Sequence, residues 1–270
     1  MAIKIPLEVA VFSGESILKA QSQGCSRVEL NAPNSYLLGG TTPPLAELAR
    51  VADQVTVPVR VMIRPRGPPN DGSQDFIYTE SEIAAMARSI EEFKASGLMN
   101  PCRGDGFVFG LLKPCSEIDS FTGEPQKLQI HEEQCKTLLR HAKPYGCVFH
   151  RAFDAIASTK RAYEGIELLL SLNFEGVLTA GGPGNCIDNM DRLNHLCHKY
   201  MSKGIFEIVA AGGLRENNIM IPAKTLARYE QGTVWLHTAA LSSRPDHPIE
   251  EIDSDELIQM VAQLDLVEAA

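Results

Sequence analysis

The sequence alternates eight times between a short run rich in β-branched residues and a longer amphipathic run, with Gly, Pro or Ser at the breaks. Short runs of this kind are typical of strands, and longer runs with helical spacing are typical of helices. The predicted strands lie near residues 7–12, 27–31, 57–64, 106–111, 146–150, 176–179, 206–211 and 234–238. The predicted helices lie near residues 16–23, 44–54, 81–96, 132–143, 159–172, 187–202, 216–229 and 254–264. This order predicts parallel strands joined by right-handed crossovers.

Eight strand–helix units are the number that closes a (β/α)8 barrel, or TIM barrel, and residues 1–270 fit one such domain. The alternative is an open doubly wound sheet, which alternates in the same way. No G-x-G-x-x-G follows the first predicted strand, so a dinucleotide site is disfavoured and no nucleotide cofactor is expected. We therefore expect a single α/β barrel domain.

Composition excludes several classes of protein. Hydrophobic residues make up 44% of the chain, which is enough for a large core. The net charge of −9 disfavours nucleic-acid and anionic-membrane partners. No apolar run has the length of a membrane span, and the first residues lack the pattern of a signal peptide. The seven cysteines are scattered without a C-x-x-C pair, so we expect reduced thiols in a cytosolic protein.

Several predicted strands carry polar residues at alternate positions. Because the apolar members of each strand must face the helices, the polar members face the barrel axis. This parity gathers Glu8, Glu29, Arg64, His150 and His237 inside, as catalytic candidates. Buried carboxylates near cations can serve as general acid and base when their pKa values are split. The alternative is a structural ion-pair network in which the two glutamates neutralise the arginine.

Two strand ends add charged candidates. Arg66 follows Arg64 after a rigid proline, and the two can clamp a carboxylate or phosphate. An exposed position in a solvated loop is the alternative for Arg66. Arg151 and Asp154 follow His150 and suggest a binding or catalytic corner. Asp154 alternatively does no more than pair with Arg151.

Glycine-rich turns follow the sixth and seventh predicted strands. Thr179 and Gly181 belong to the first turn, and Gly212 and Gly213 to the second. Such turns before helices expose backbone N–H groups to an anion, and barrel enzymes often bind phosphate near the last strands. Glycine is also the usual residue of a tight turn, so a purely structural role is the alternative.

Motifs in this order resemble the CutC family of copper homeostasis proteins. They are L-E-V at 7–9, R-V-E-L at 27–30, G-G-T-T-P at 39–43, V-M-I-R-P-R-G at 61–67, F-V-F-G at 107–110, F-H-R-A-F-D at 149–154 and L-T at 178–179. The resemblance runs from the first strand to His237, and the segment from about residue 241 diverges. This resemblance implies a TIM barrel that forms a homodimer or homotetramer. It also implies a location in the cytoplasm, and secondarily in the nucleus, and the binding of Cu(I) by thiols.

The chain departs from the family pattern at two cysteine positions. Asn31 follows the second strand where the family usually has Cys, and Ala10 stands where the family has a cysteine near the end of the first strand. Cu(I) prefers thiolate and thioether ligands, so the metal ligands stay unknown. Two hypotheses follow: a CutC-like protein that binds Cu(I), or a barrel enzyme acting on a small anionic or phosphorylated metabolite. A scaffold protein that works through its surface is the third.

Overall fold

The computed structural model describes residues 5–115, 128–157, 161–200, 206–229, 233–242, 244 and 246–267. The strands in chain order are β1 (Leu7–Val11), β2 (Arg27–Leu30), β3 (Val59–Met62), β4 (Gly106–Phe109), β5 (Leu112–Pro114), β6 (Leu128–Ile130), β7 (Gly146–Phe149), β8 (Gly176–Thr179), β9 (Glu207–Ala211) and β10 (Val234–Thr238). All except β5 and β6 pair in parallel and close into a barrel in the order β1-β2-β3-β4-β7-β8-β9-β10. The predicted (β/α)8 barrel is confirmed, and the open sheet is excluded.

The helices surround this barrel. They are α1 (Gly14–Ser22), α2 (Leu45–Ala49), α3 (Glu80–Ala95), α4 (Glu132–Ala142), α5 (Asp154–Ala157), α6 (Arg161–Ser171), α7 (Met190–Tyr200), α8 (Met220–Leu226) and α9 (Ser254–Asp265). Their buried apolar side chains form one continuous core with the outward faces of the strands, as Ile17, Phe93 and Leu196 do with Val9 and Phe149. Burial of this apolar surface is the main stabilising contribution to the fold. None of the described helices has the length and apolar character needed to cross a bilayer.

Local sequence signals set several helix ends. Thr79 caps α3, and Glu82 returns the hydrogen bond to complete a capping box. Gly24 and Gly97 follow the ends of α1 and α3 and have φ values of 92° and 70°. These left-handed conformations favour glycine because it has no Cβ.

Three elements differ from the sequence prediction. The helix predicted at 44–54 is the shorter α2, because Gln21 Oε1 accepts from the N–H groups of Thr56 and Val57 and holds the following chain in a turn. The helix predicted at 216–229 is the shorter α8, because Asn218 Oδ1 accepts from Arg215 N and forms a turn before it. Between β4 and α4, β5 and β6 pair as an antiparallel ladder that is not among the eight predicted strands.

Inside the barrel, an apolar layer separates two polar ends. It consists of Met62, Val108, Val148, Leu178, Val209 and Ala211, packed against Trp235. Near the amino ends of the strands, Arg60 pairs with Glu175 at 2.7 Å. Arg27 pairs with Glu207 at 2.8 Å at the same end. These ion pairs satisfy charges that burial would otherwise make costly, and the opposite end of the barrel is left to form a cavity.

Candidate functional site

A cavity of about 260 Å³ opens at the carboxyl ends of the strands. This is the end at which barrel enzymes place their active sites. Seven of the predicted site residues line it: Glu29, Arg64, His150, Arg151, Gly212, Gly213 and His237. Residues of five strands or the turns after them therefore meet at one cavity, as the parity argument predicts.

The other predicted site residues lie outside the cavity lining. Glu8 lies below it, bonded to His237. Asp154 and Thr179 bond to each other behind the wall. Gly181 donates its N–H to Thr179 Oγ1 at 2.9 Å, so this N–H is not available to an anion. Arg66 turns away and donates to Glu82 Oε1 at 2.5 Å, so it does not clamp a ligand together with Arg64.

Glu8 and His237 form a buried dyad in adjacent strands. Glu8 Oε1 lies 2.7 Å from His237 Nδ1, and Glu8 Oε2 accepts from Arg27 Nε. Burial alone would raise the pKa of Glu8, but Arg27 and His237 outweigh it and lower this pKa to about 2. Burial would likewise lower the pKa of His237, and its hydrogen bond to Glu8 raises it instead. Glu8 is therefore a carboxylate that orients the imidazole.

Arg64 has its own acceptors. Its guanidinium donates to the backbone oxygens of Leu38 and Gly40, the latter at 2.9 Å, and to Asp75 Oδ2 at 2.7 Å. The alternative in which Glu8 and Glu29 neutralise Arg64 is thus wrong, because Asp75 is the carboxylate that pairs with Arg64. Arg64 Nε has no hydrogen-bond partner among the described residues. Arg64 also lines the cavity, so its guanidinium has an unused donor beside the site.

His150 is a buried imidazole held in one tautomer. Its Nδ1 accepts the N–H of Ala152 at 3.2 Å, so the proton of the neutral ring is on Nε2. Burial and the charge of Arg64 lower the pKa of His150 to about 3. The ring is therefore neutral at physiological pH, and Nε2–H is unpartnered within the described part of the chain. This geometry gives His150 the properties of a hydrogen-bond donor to the ligand.

Glu29 and Asn31 bring acceptors to the cavity. Asn31 Nδ2 donates to Glu29 Oε1 at 3.1 Å and to the Glu29 backbone oxygen at 3.2 Å. Glu29 Oε2 and Asn31 Oδ1 are buried without a hydrogen-bond partner in the described residues. Burial raises the pKa of Glu29, in contrast to that of Glu8. Unequal contact with cations thus moves the pKa values of Glu8 and Glu29 in opposite directions, which is the condition for separate acid and base roles.

The corner after β7 is held by one carboxylate. Asp154 accepts from Ala180 N at 2.9 Å and from Arg151 Nε at 2.7 Å. These bonds fix the position of Arg151 at the rim, and Asp154 does more than pair with Arg151, because it also accepts from Thr179 and Ala180 at the end of β8. Gly212 and Gly213 complete the rim with φ values of 108° and 71°, and side chains rarely adopt this conformation.

Sequence reasoning missed several residues of the cavity wall. Tyr36, Phe76 and Arg215 line the cavity, and all three lie outside the strands, Tyr36 in a short 3-10 turn and the other two in loops, where strand periodicity predicts no direction. Phe76 has a φ of 65°, and Asp75 Oδ1 accepts its N–H at 2.8 Å. The loop that carries Tyr36 is tied to Glu250, whose carboxylate accepts from the N–H groups of Asn34 and Tyr36.

The cavity does not suit a soft metal ion. Its described polar side chains are carboxylate, amide, hydroxyl, guanidinium and imidazole groups, and Met62 supplies the one sulfur atom in the lining. Burial raises the pKa of four cysteine thiols, Cys25, Cys135, Cys186 and Cys197, to about 12. The residues present therefore do not fit Cu(I) at the barrel mouth, since this ion prefers thiolate and thioether ligands.

Comparison with known proteins agrees with the resemblance to CutC proteins seen in the sequence motifs. The model of the CutC family matches residues 5–240. A copper homeostasis protein cutC homolog of Mus musculus is 33% identical over 88% of this chain and 74% of its own length. The corresponding protein of Homo sapiens is 34% identical over 79% of this chain and 67% of its own length.

Solved structures support the fold. CutC from Streptococcus agalactiae matches with a TM-score of 0.66 and 24% identity, over 87% of this chain and 98% of that one. A phosphoribosylanthranilate isomerase monomer from Thermotoga maritima matches with a TM-score of 0.50 and 12% identity, over 96% of this chain and 98% of that one. The family model covers most of the chain, and two relatives exceed 30% identity over most of their own length. The chain therefore belongs to the CutC family of copper homeostasis proteins.

Proposed function

We propose that the barrel mouth binds a small anionic metabolite, with a carboxylate or a phosphate group, and acts as an enzyme site on it. The observation that carries this proposal is that Arg64 and His150 line the same cavity, and each has a buried donor, Nε and Nε2–H, without a partner among the described residues. A buried donor without an acceptor costs about 1–3 kcal/mol, and an anionic ligand removes that cost.

The rim adds further positive potential. Arg151 and Arg215 lie on the cavity wall beside the turn at Gly212 and Gly213. Asp154 and Glu256 hold the two guanidinium groups in place. Donors that are already oriented stabilise negative charge without reorganisation, which is the usual source of rate enhancement at an oxyanion. This arrangement suits a reaction in which negative charge develops on a bound oxygen, as in an isomerase or a lyase.

The experiment is a thermal-shift and calorimetry screen of small carboxylates and phosphate esters, followed by a turnover assay for each compound that binds. We expect His150→Phe to weaken binding by about 10- to 100-fold, the range for a hydrogen bond to a charged group. His198→Phe is the matched control, because His198 is exposed on α7. The proposal fails if no compound of either class binds, or if binding is equal in His150→Phe.

Copper handling is the second candidate function. The mouse and human relatives are named for copper homeostasis. In this chain Cys186 Sγ lies 3.9 Å from Met190 Sδ. Cys186 also donates its backbone N–H to Gly212 O, so this pair of sulfur atoms lies just behind the rim. Thiol and thioether sulfur are the ligand types that Cu(I) prefers.

A Cu(I) competition assay tests this candidate. Reduced protein should compete with bicinchoninate for Cu(I) under anaerobic conditions, and Cys186→Ser should weaken the competition. Cys135→Ser is the control, because Cys135 is equally buried but lies on α4. Failure of the unaltered protein to compete removes the candidate. For either function we propose a cytoplasmic location and a homo-oligomer, which fractionation and light scattering test.

A further inference from the structure

One wall of the cavity carries oxygen acceptors without donors. Glu29 and Asn31 are 4% and 1% exposed, and both line the cavity. Glu29 Oε2 and Asn31 Oδ1 have no hydrogen-bond partner within the described residues. The Asn31 amide group already donates to Glu29 Oε1, so when Glu29 is ionised the pair has no donor left for either free oxygen. Two buried acceptors side by side require a donor or a cation.

His237 adds a nitrogen ligand to the same wall. Its Nδ1 is engaged by Glu8, so Nε2 is the ring nitrogen left for the cavity. A histidine that ligates a metal nearly always has its other nitrogen bonded to a carboxylate or a carbonyl group. Glu8 is held in turn by Arg27, which fixes the orientation of the carboxylate. The carboxylate that would orient a metal-binding imidazole is therefore already in place at His237.

The spacing suits a single ion. One ligand atom from each of Glu8, Glu29 and His237 lies within 4.8 Å of the others. That distance is little more than twice a metal–ligand bond of about 2.1 Å. Carboxylate and amide oxygens with an imidazole suit a divalent ion of the Mn²⁺ or Zn²⁺ kind, in contrast to Cu(I).

We propose that Glu29, His237 and Asn31 form a binding site for one divalent transition-metal ion at the barrel mouth. A carboxylate oxygen of Glu29 and a ring nitrogen of His237 are its direct ligands, and Asn31, whose Oδ1 has no partner among the described residues, lines the same wall. Arg64 and His150 line the same cavity, so the ion adds positive charge to the volume in which the anionic metabolite is proposed to bind.

The test uses Mn²⁺ and Zn²⁺ alone, without any metabolite, so its outcome is independent of the proposed anion binding. Calorimetry on the full chain should give a single tight site. We expect Glu29→Gln and His237→Gln each to weaken it at least about 10-fold. Glu175→Gln is the matched control, because Glu175 lies near the amino ends of the strands and pairs with Arg60.

Circular dichroism and urea unfolding check that each variant is folded. If a variant is unfolded, spin-echo spectroscopy of Mn²⁺ on the unaltered protein decides, because a bound imidazole gives a ¹⁴N modulation. That modulation with a single site supports the proposal. Absence of binding, absence of the modulation, or weak binding at several sites that Glu29→Gln leaves unchanged would overturn it.

Discussion

The ring of Phe76 packs against the imidazole of His150, with centroids 4.9 Å apart and planes inclined at 56°. The same ring lies 5.0 Å from the guanidinium carbon of Arg64. Phe76 thus packs against both residues that we propose for anion binding and contributes to their burial.

We expect Phe76→Ala to admit water to His150 and to raise the pKa of that residue from about 3 toward the ordinary value for histidine. NMR titration of the His150 ring measures the change. Phe76→Tyr retains the ring and should leave the pKa unchanged. An unaltered titration in Phe76→Ala would show that the ring does not provide the desolvation.

The buried imidazole of His150 predicts a pH dependence of stability. Its pKa is about 3 in the folded chain, against 6.5 for an ordinary histidine. Because the unfolded chain takes up the proton first, this contribution is complete above pH 6.5 and falls as the pH falls toward 3. We expect a loss of about 2 kcal/mol in the free energy of unfolding between pH 6.5 and 5.

Urea unfolding at several pH values measures this slope. His150→Gln removes the titrating group and should reduce the slope over the same range, while the carboxyl groups contribute equally in both proteins. Identical slopes for the two proteins would contradict the neutral state of His150.

Two glycines with similar backbone angles allow a matched comparison. Gly40 has a φ of 81°, and a Cβ there would lie 2.1 Å from Asn31 Oδ1. Gly72 has a φ of 75°, and a Cβ there would meet nothing within 4 Å. We expect Gly72→Ala to cost about 1 kcal/mol of stability from backbone strain alone. Gly40→Ala should cost about 3 kcal/mol, because overpacking adds to the strain. Chemical denaturation measures both, and equal losses would mean that the approach of Asn31 is not tight.

The cysteines differ in access to solvent. Cys102 is exposed and Cys115 half-buried, whereas the other five are buried: Cys25, Cys135, Cys147, Cys186 and Cys197. Since the thiolate is the reactive form, burial that raises the pKa also slows the reaction. In the native protein we expect a disulfide reagent to modify Cys102 first and Cys115 second. The remaining thiols should react only in denaturant. Mass spectrometry locates each adduct, and early modification of Cys135 would contradict the packing around α4.

Strand parity identified the inner residues correctly, because side chains in a strand must alternate and one face must meet the helices. Glu29, Arg64, His150 and His237 accordingly line one cavity. Parity does not identify their partners. The register between β1 and β2 decides that Glu8 meets Arg27, and a loop residue, Asp75, meets Arg64.

The closeness of Arg64 and Arg66 in the sequence, on either side of Pro65, was also misleading. The two arginines that flank it suggested a joint clamp, but Arg64 points into the barrel and Arg66 toward α3. Residues on either side of a strand end diverge when the backbone leaves the sheet. The aromatic wall at Phe76 was not predictable for a related reason, since a left-handed residue in a loop has no periodic signal.

Glu250 lies beyond residue 240, where the match to the family model ends, yet its carboxylate fastens the loop at Asn34 and Tyr36 beside the cavity. A residue outside the family match thus holds a loop at the mouth of a cavity whose lining residues all lie within the match. Exchange of this segment between relatives would reshape access and ligand selection while the inner strands stay the same. Deletion of it would release the entrance loop without removing any residue of the cavity floor.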